Sequence, residues 1–221
     1  MILSFIKKHY ILFTVFYGIL YMTWFSILEQ HITSDFHIVH MTLDDKIPFI
    51  EYFVIPYFLW FLYVAGSILF FAWKDPKEYG TLCAFLFTGM TIFLLISTIY
   101  PNGHYLRPVS FERNNLFVRL VQRLYQTDTA TNLFPSIHVY NSIGVHLGVS
   151  HSRHFKKHPV LVGLSFLLML TIILSTMFLK QHSVFDVLTA FLMAGIMYLF
   201  TYGRPLLEKL TSSAKAAADI H

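Results

Sequence analysis

Cross-links and charge are what this chain has least of. A single cysteine, Cys83, excludes any intramolecular disulfide, so the fold rests on packing and hydrogen bonds. Only 13% of the residues are charged, too few to cover the surface of a soluble domain of 221 residues. Internal repeats and low-complexity segments are also missing. No nucleic-acid motif accompanies the net charge of +4, which basic flanks at an anionic membrane surface explain without a nucleic-acid partner.

What the chain has is apolar length. It is 56% hydrophobic with a mean hydropathy of +0.58, the profile of an all-α, polytopic integral membrane protein. Crossing about 30 Å of hydrocarbon takes roughly 20 apolar residues. Runs near 10–28, 49–72, 80–99, 136–150, 159–179 and 183–202 give six spans. The fourth is short and carries Asn141 and His146, so five spans and a re-entrant segment fit the pattern as well. The first run is too long for a signal peptide and lacks its small-residue cleavage site, which predicts a retained span.

With an even number of spans both termini share a side. That side receives Lys7, Lys8, Lys74, Lys77, Arg153, Lys156, Lys157, Arg204 and Lys209, which makes it cytoplasmic by the positive-inside bias. The other face holds Lys46, Arg107, Arg113, Arg119, Arg123 and Lys180. Four of these fall in one loop, which points to a local task. The stretch from Thr211 to His221 is small and polar and reads as a frayed tail.

The longest polar region runs from Tyr100 to Pro135 on the extracytoplasmic face. Pro101-Asn102-Gly103 is a turn signal that ends the third span. Arg107, followed by Pro108, offers a permanently charged fork either to a phosphate or to lipid headgroups. From Glu112 to Gln126 the spacing of Phe117, Leu120, Val121 and Leu124 predicts an amphipathic helix on the membrane, with Arg119 and Arg123 on another face.

Next comes Phe134-Pro135-Ser136-Ile137-His138, where the fourth span begins. A helix N-terminus presents free amides to an anion, so Ser136 and His138 stand where a phosphate can be held and a leaving oxygen protonated. At the mouth of the sixth span His182 and Asp186 are four residues apart, a spacing that joins their side chains on one helix face. A carboxylate on one imidazole nitrogen fixes the tautomer and leaves the other nitrogen as base or nucleophile. A buried polar pair that holds helices together is the equally good structural alternative.

His31, Asp35, His37, His40, Asp44 and Asp45 crowd the first outer loop without a compact ligand signature, so no metal site is expected there. Gly144 and Gly148 predict close helix approach within the monomer.

Taken in order, Arg107-Pro108, Pro135-Ser136-Ile137-His138 and Ser175 to Asp186 resemble the three motifs of the type-2 phosphatidic acid phosphatase family, which also includes vanadium haloperoxidases. The resemblance covers roughly residues 80–200 and divides the chain into a two-span segment (1–79), a catalytic part (80–210) and the tail (211–221) within one membrane domain. It implies a lipid phosphate substrate and metal-independent, cofactor-free attack by His182 on phosphorus, with Asp186 orienting it. His138 would protonate the leaving alkoxide, and Arg107 and Ser136 would hold phosphoryl oxygens. Ser175, Thr176 and Tyr100 occupy the remaining phosphate-contacting positions of the motifs. Tyr100 stands where the family has lysine, Ile137 where it has glycine and Thr176 where it has arginine. Two cations are thus missing, which suits a singly charged phosphodiester better than a nearly dianionic monoester. These variants look like the branch containing inositol phosphorylceramide synthases, although Arg113, Arg119, Arg123 or Lys180 would be alternative sources of charge.

Overall fold

The computed structural model describes residues 9–31 and 35–203. Lys7, Lys8, Arg204, Lys209 and the tail 211–221, all used in the topology expectation, lie outside the described residues. The described chain is mostly helical. Its α-helices are α1 (Tyr10–His31), α2 (Val54–Lys74), α3 (Pro76–Ile99), α4 (Leu116–Thr127), α5 (Ile137–His151), α6 (Pro159–Phe178) and α7 (Val184–Thr201).

Local sequence explains where these helices begin. Asp75 caps α3 by accepting from the amides of Lys77 (2.9 Å) and Glu78 (3.2 Å), with Pro76 at the position that needs no amide. Asn115 caps α4 through the Val118 amide at 2.9 Å, and Pro159 opens α6. Ser183 and Asp186 form a capping box on α7.

Five of these segments are long and apolar enough to cross a membrane among the described residues: α1, Glu51–Lys74, α3, α6 and α7. Their outer faces carry Leu62, Leu69, Val160 and Leu192, each at least 65% exposed, a pattern that belongs in lipid. Helix α5 is different. Its 15 residues rise only about 22 Å, short of the hydrocarbon thickness. It lies at the centre instead, packed against α2, α3, α6 and α7. This placement keeps Asn141 (1% exposed) and Ser142 away from lipid; Ser142 Oγ donates to the His138 carbonyl at 2.6 Å, while Oδ1 of Asn141 is buried without a partner. Gly144 makes the packing possible, since a Cβ there would meet Phe85 at 2.5 Å. Gly148 faces Leu82 and Tyr202, so both glycines serve contacts inside the monomer.

Helix α4 starts four residues later than its apolar spacing suggested, at Leu116, and buries Val118, Val121 and Leu124. It packs with Val54 and Tyr57 of α2 and with Leu179. Asn102–Gly103 does more than end α3. It pairs in parallel with His37–Ile38, which clips the loop after α1 to the loop after α3. Only glycine fits at 103, because a Cβ would lie 2.5 Å from the Ala130 carbonyl.

Candidate active site

Three polar segments meet at one end of the bundle, and the turn between α6 and α7 organises them. The amides of Gln181 and His182 both return to the Thr176 carbonyl, at 2.9 and 3.0 Å, closing α6, while Lys180 adopts a positive φ of 52°. His182 therefore precedes α7 instead of lying on it. Asp186 is the partner that the four-residue spacing predicts, but for a different reason: the capping box brings it back over the turn. Nδ1 of His182 lies 3.3 Å from Oδ2 of Asp186, which also accepts from the Ser183 amide at 3.0 Å.

Both side chains are buried, and Oδ1 of Asp186 has no hydrogen-bond partner. Burial and the nearby Arg107 charge push the His182 pKa down to about 3, against the Leu133 carbonyl, which favours the protonated ring. His182 is thus neutral at physiological pH. Donation of Nδ1–H to Asp186 is the tautomer that would leave the lone pair on Nε2.

Arg107 reaches this turn from the loop after α3. It donates to Oε1 of Gln181 at 2.5 Å, to the Thr129 carbonyl at 2.7 Å and to the Tyr125 carbonyl at 3.3 Å, and it lies over the Tyr125 ring at 4.5 Å. All these acceptors are uncharged, and Nε is buried without a partner. Gln181 uses its other end to donate to Oδ2 of Asp128 at 3.1 Å, which also accepts from Tyr57 Oη at 2.9 Å. Burial pushes the Asp128 carboxyl up to about 6, opposed by Arg107 and the Tyr57 hydrogen bond.

The second motif enters beside the third. Ser136 precedes α5 as its cap, with Oγ 3.4 Å from the Val139 amide, and its own amide donates to the Asp186 carbonyl at 3.2 Å. Pro135 accordingly lies outside the helix, not in its first turn. The Ser136 hydroxyl is fully buried in this capping role. The His138 ring centroid is 5.7 Å from that of His182 and packs on Tyr57 at 4.5 Å and Trp60 at 4.4 Å. Attack needs an approach of about 3 Å and proton donation another 3 Å or so, a sum comparable with the separation of the two rings.

Other residues with phosphate-binding expectations are placed elsewhere. The Ser175 hydroxyl turns back to the Ile172 carbonyl at 2.6 Å, and that of Thr176 to Ile173 at 2.7 Å. Thr176 serves the site through its backbone carbonyl. Tyr100 stacks on His37 at 4.1 Å with rings nearly parallel, outside the cluster. Lys180 Nζ donates to the Asp44 carbonyl at 2.7 Å, and Arg113 pairs with Glu51 at 3.2 Å. Arg119 donates to Asn114 at 3.4 Å on the exposed side of α4, where Arg123 also lies. Among the described residues, Arg107 is the cation bonded into the cluster.

The histidines and carboxylates between His31 and Asp45 also separate. His31 bonds its own helix at the Ile27 carbonyl, and His40 pairs with Asp45 at 2.9 Å. Asp44 is the surprise. It is 2% exposed and accepts from Ser183 Oγ at 2.6 Å and the Val184 amide at 2.7 Å, so a residue from the 1–79 segment seats the helix that carries Asp186. Asn102 holds the second motif by accepting from the amides of Leu133 and Phe134, both at 2.9 Å. His104 donates to the Gln181 carbonyl at 3.0 Å, and burial lowers its pKa to about 4.

Asp44 and Asn102 have other roles in the sequence pattern, and His104, Asp128 and Gln181 have none, because each works through a partner distant in the chain. A run of polar residues flanking the motifs was the only local signal. No family model, curated protein or solved structure matches this chain.

Proposed function

We propose that this chain is a multi-pass membrane enzyme that cleaves a lipid phosphoester through a phosphohistidine at His182. The observation that carries this reading is the convergence of Asp186, Arg107 and His138 on that buried, neutral imidazole. The motif resemblance to the type-2 phosphatidic acid phosphatases supports it. In this reading α5, too short to cross lipid alone but enclosed by α2, α3, α6 and α7, carries the chain between the two faces inside the bundle, both termini are cytoplasmic, and α4 and the site face the extracytoplasmic side.

The chemistry proceeds in two displacements. Nε2 of His182 attacks phosphorus while Asp186 holds Nδ1–H, an N–P bond forms, and the P–O bond to the leaving group breaks as His138 delivers a proton to that oxygen. Arg107 stabilises charge on the non-bridging oxygens through its unpartnered Nε. His138 then takes a proton from the incoming hydroxyl, whose oxygen attacks phosphorus and releases His182. Water as the acceptor makes the enzyme a lipid phosphatase.

A second reading passes the same intermediate to a lipid or polyol hydroxyl, making the enzyme a headgroup transferase. It is favoured by the engagement of Lys180 and Arg113 elsewhere, which leaves one guanidinium for the phosphate. A non-enzymatic membrane role is the reading both must defeat.

Full-length protein in lipid vesicles separates these readings when given labelled phosphatidate or phosphatidylinositol, with and without ceramide or diacylglycerol. Acceptor-independent phosphate release identifies the phosphatase, and acceptor-dependent transfer the transferase. His182→Ala is expected to reduce either activity by at least about 10⁴-fold. Unchanged turnover in that variant would refute the phosphohistidine reading.

A further inference from the structure

Arg107 does not face the site alone. Its guanidinium and the Asp128 carboxylate bind opposite ends of one side-chain amide, Gln181, with Oε1 accepting from the arginine at 2.5 Å and Nε2 donating to the carboxylate at 3.1 Å. Gln181 is 1% exposed and immediately precedes His182, so this relay cannot shift without moving the nucleophile. Asp128 also accepts from Tyr57, whose ring packs on His138. One carboxylate therefore reaches the cation through Gln181 and the second histidine through Tyr57.

We infer that Asp128 is a specificity-determining residue that offsets part of the positive charge presented to phosphate and thereby selects monoanionic phosphodiesters over dianionic phosphomonoesters. This rests on the phosphohistidine reading for the reaction but on charge alone for binding. A dianion meeting Arg107 and an ionised Asp128 one amide apart is left with uncompensated negative charge, while a monoanion is disfavoured half as much by the same carboxylate. Tyr57 and Gln181 donate only neutral hydrogen bonds, and Lys180 is tied to Asp44, so nothing else bonded to the relay offsets that charge.

Asp128→Asn tests this, because an asparagine oxygen still accepts from Tyr57 and Gln181 while the charge is gone. At pH 8, thermal stabilisation of the full-length protein by inorganic phosphate and by dimethyl phosphate is compared in wild type and variant. Asp128→Asn is expected to improve the phosphate affinity about tenfold relative to dimethyl phosphate. The kcat/KM ratio of phosphatidate to phosphatidylinositol is expected to rise by a similar factor. Gln181→Glu, which adds a second carboxylate beside Arg107, moves both ratios the other way. Equal losses for both ligands, or ratios that stay fixed, overturn the proposal and leave Asp128 a structural residue. Ligand ratios that change as expected while His182→Ala retains turnover uphold the charge filter and refute the phosphohistidine reading, so the two fail separately.

Discussion

The two ends of the helix bundle solve the same problem, keeping carboxylates and arginines in a mostly apolar molecule, in opposite ways. At the corners between α2 and α3 and between α5 and α6, Arg153 pairs directly with Asp75 at 2.6 Å, and Glu78 accepts from Ser152 Oγ at 2.6 Å and from the Arg153 amide at 3.0 Å. At the other end Arg107 and Asp128 are kept apart by Gln181. A direct pair is closed, since each charge already has its counter-charge and hydrogen bonds. A spaced pair leaves both charges under-compensated, and a ligand can complete them.

The pKa values express the same contrast. Burial works to raise the Asp75 carboxyl, but the Glu78 and Lys77 amides and Arg153 outweigh it and the net shift is downward. For Asp128 burial prevails and the value rises to about 6.

Exchanging residues between these ends tests the contrast. The largest effect among these is expected from His138→Ala, which removes the proposed proton donor and should cost about 10²–10⁴-fold in kcat, while Ser152→Ala at the other end leaves kcat unaltered. Next, Arg107→Lys keeps the charge but loses the fork that binds three oxygens at once, with an expected loss of about 10- to 100-fold in kcat/KM. Arg153→Lys is expected to leave kcat/KM within about threefold of wild type. Steady-state assays on vesicles check both pairs.

The two carboxylates also differ in the sign of their pH dependence. Asp128, raised from 3.8, contributes most to stability below about pH 4 and loses that contribution as pH rises through about 6. Asp75, lowered, contributes fully above its unfolded value and loses its contribution as pH falls through the folded one. Asp128→Asn therefore flattens the stability profile between about pH 4 and 6, and Asp75→Asn flattens it only below about pH 4, as thermal unfolding against pH will show. The smallest effect is expected from Thr176→Val. Its hydroxyl bonds only its own helix, so activity should change by less than about threefold, and a large loss would place that hydroxyl on the substrate.

Much of this arrangement is legible residue by residue. Apolar runs locate the five long helices, although the run of the third starts at residue 80 and the helix begins at Pro76, where the Asp75 cap and not hydropathy sets the start. His138, His182 and Asp186 stand out because ionisable groups in apolar company are costly. Arg107 stands out for its fork, but its acceptors do not, because Tyr125, Thr129 and Gln181 lie 18, 22 and 74 residues away. Asp44 looked like one more outer-loop acid, and only the fold places it under α7, 140 residues on.

The sequence by itself determined that the chain builds apolar helices of membrane length and carries two histidines and an aspartate at their ends, because periodicity, caps and hydropathy are local properties. The tertiary structure decided which polar groups share a site. It turned Ser175 and Thr176 inward to their own helix, spent Lys180 and Arg113 on other carbonyl and carboxylate oxygens, and set Arg107 one amide away from Asp128. Charge compensation depends on distance through space, and no local pattern encodes that distance.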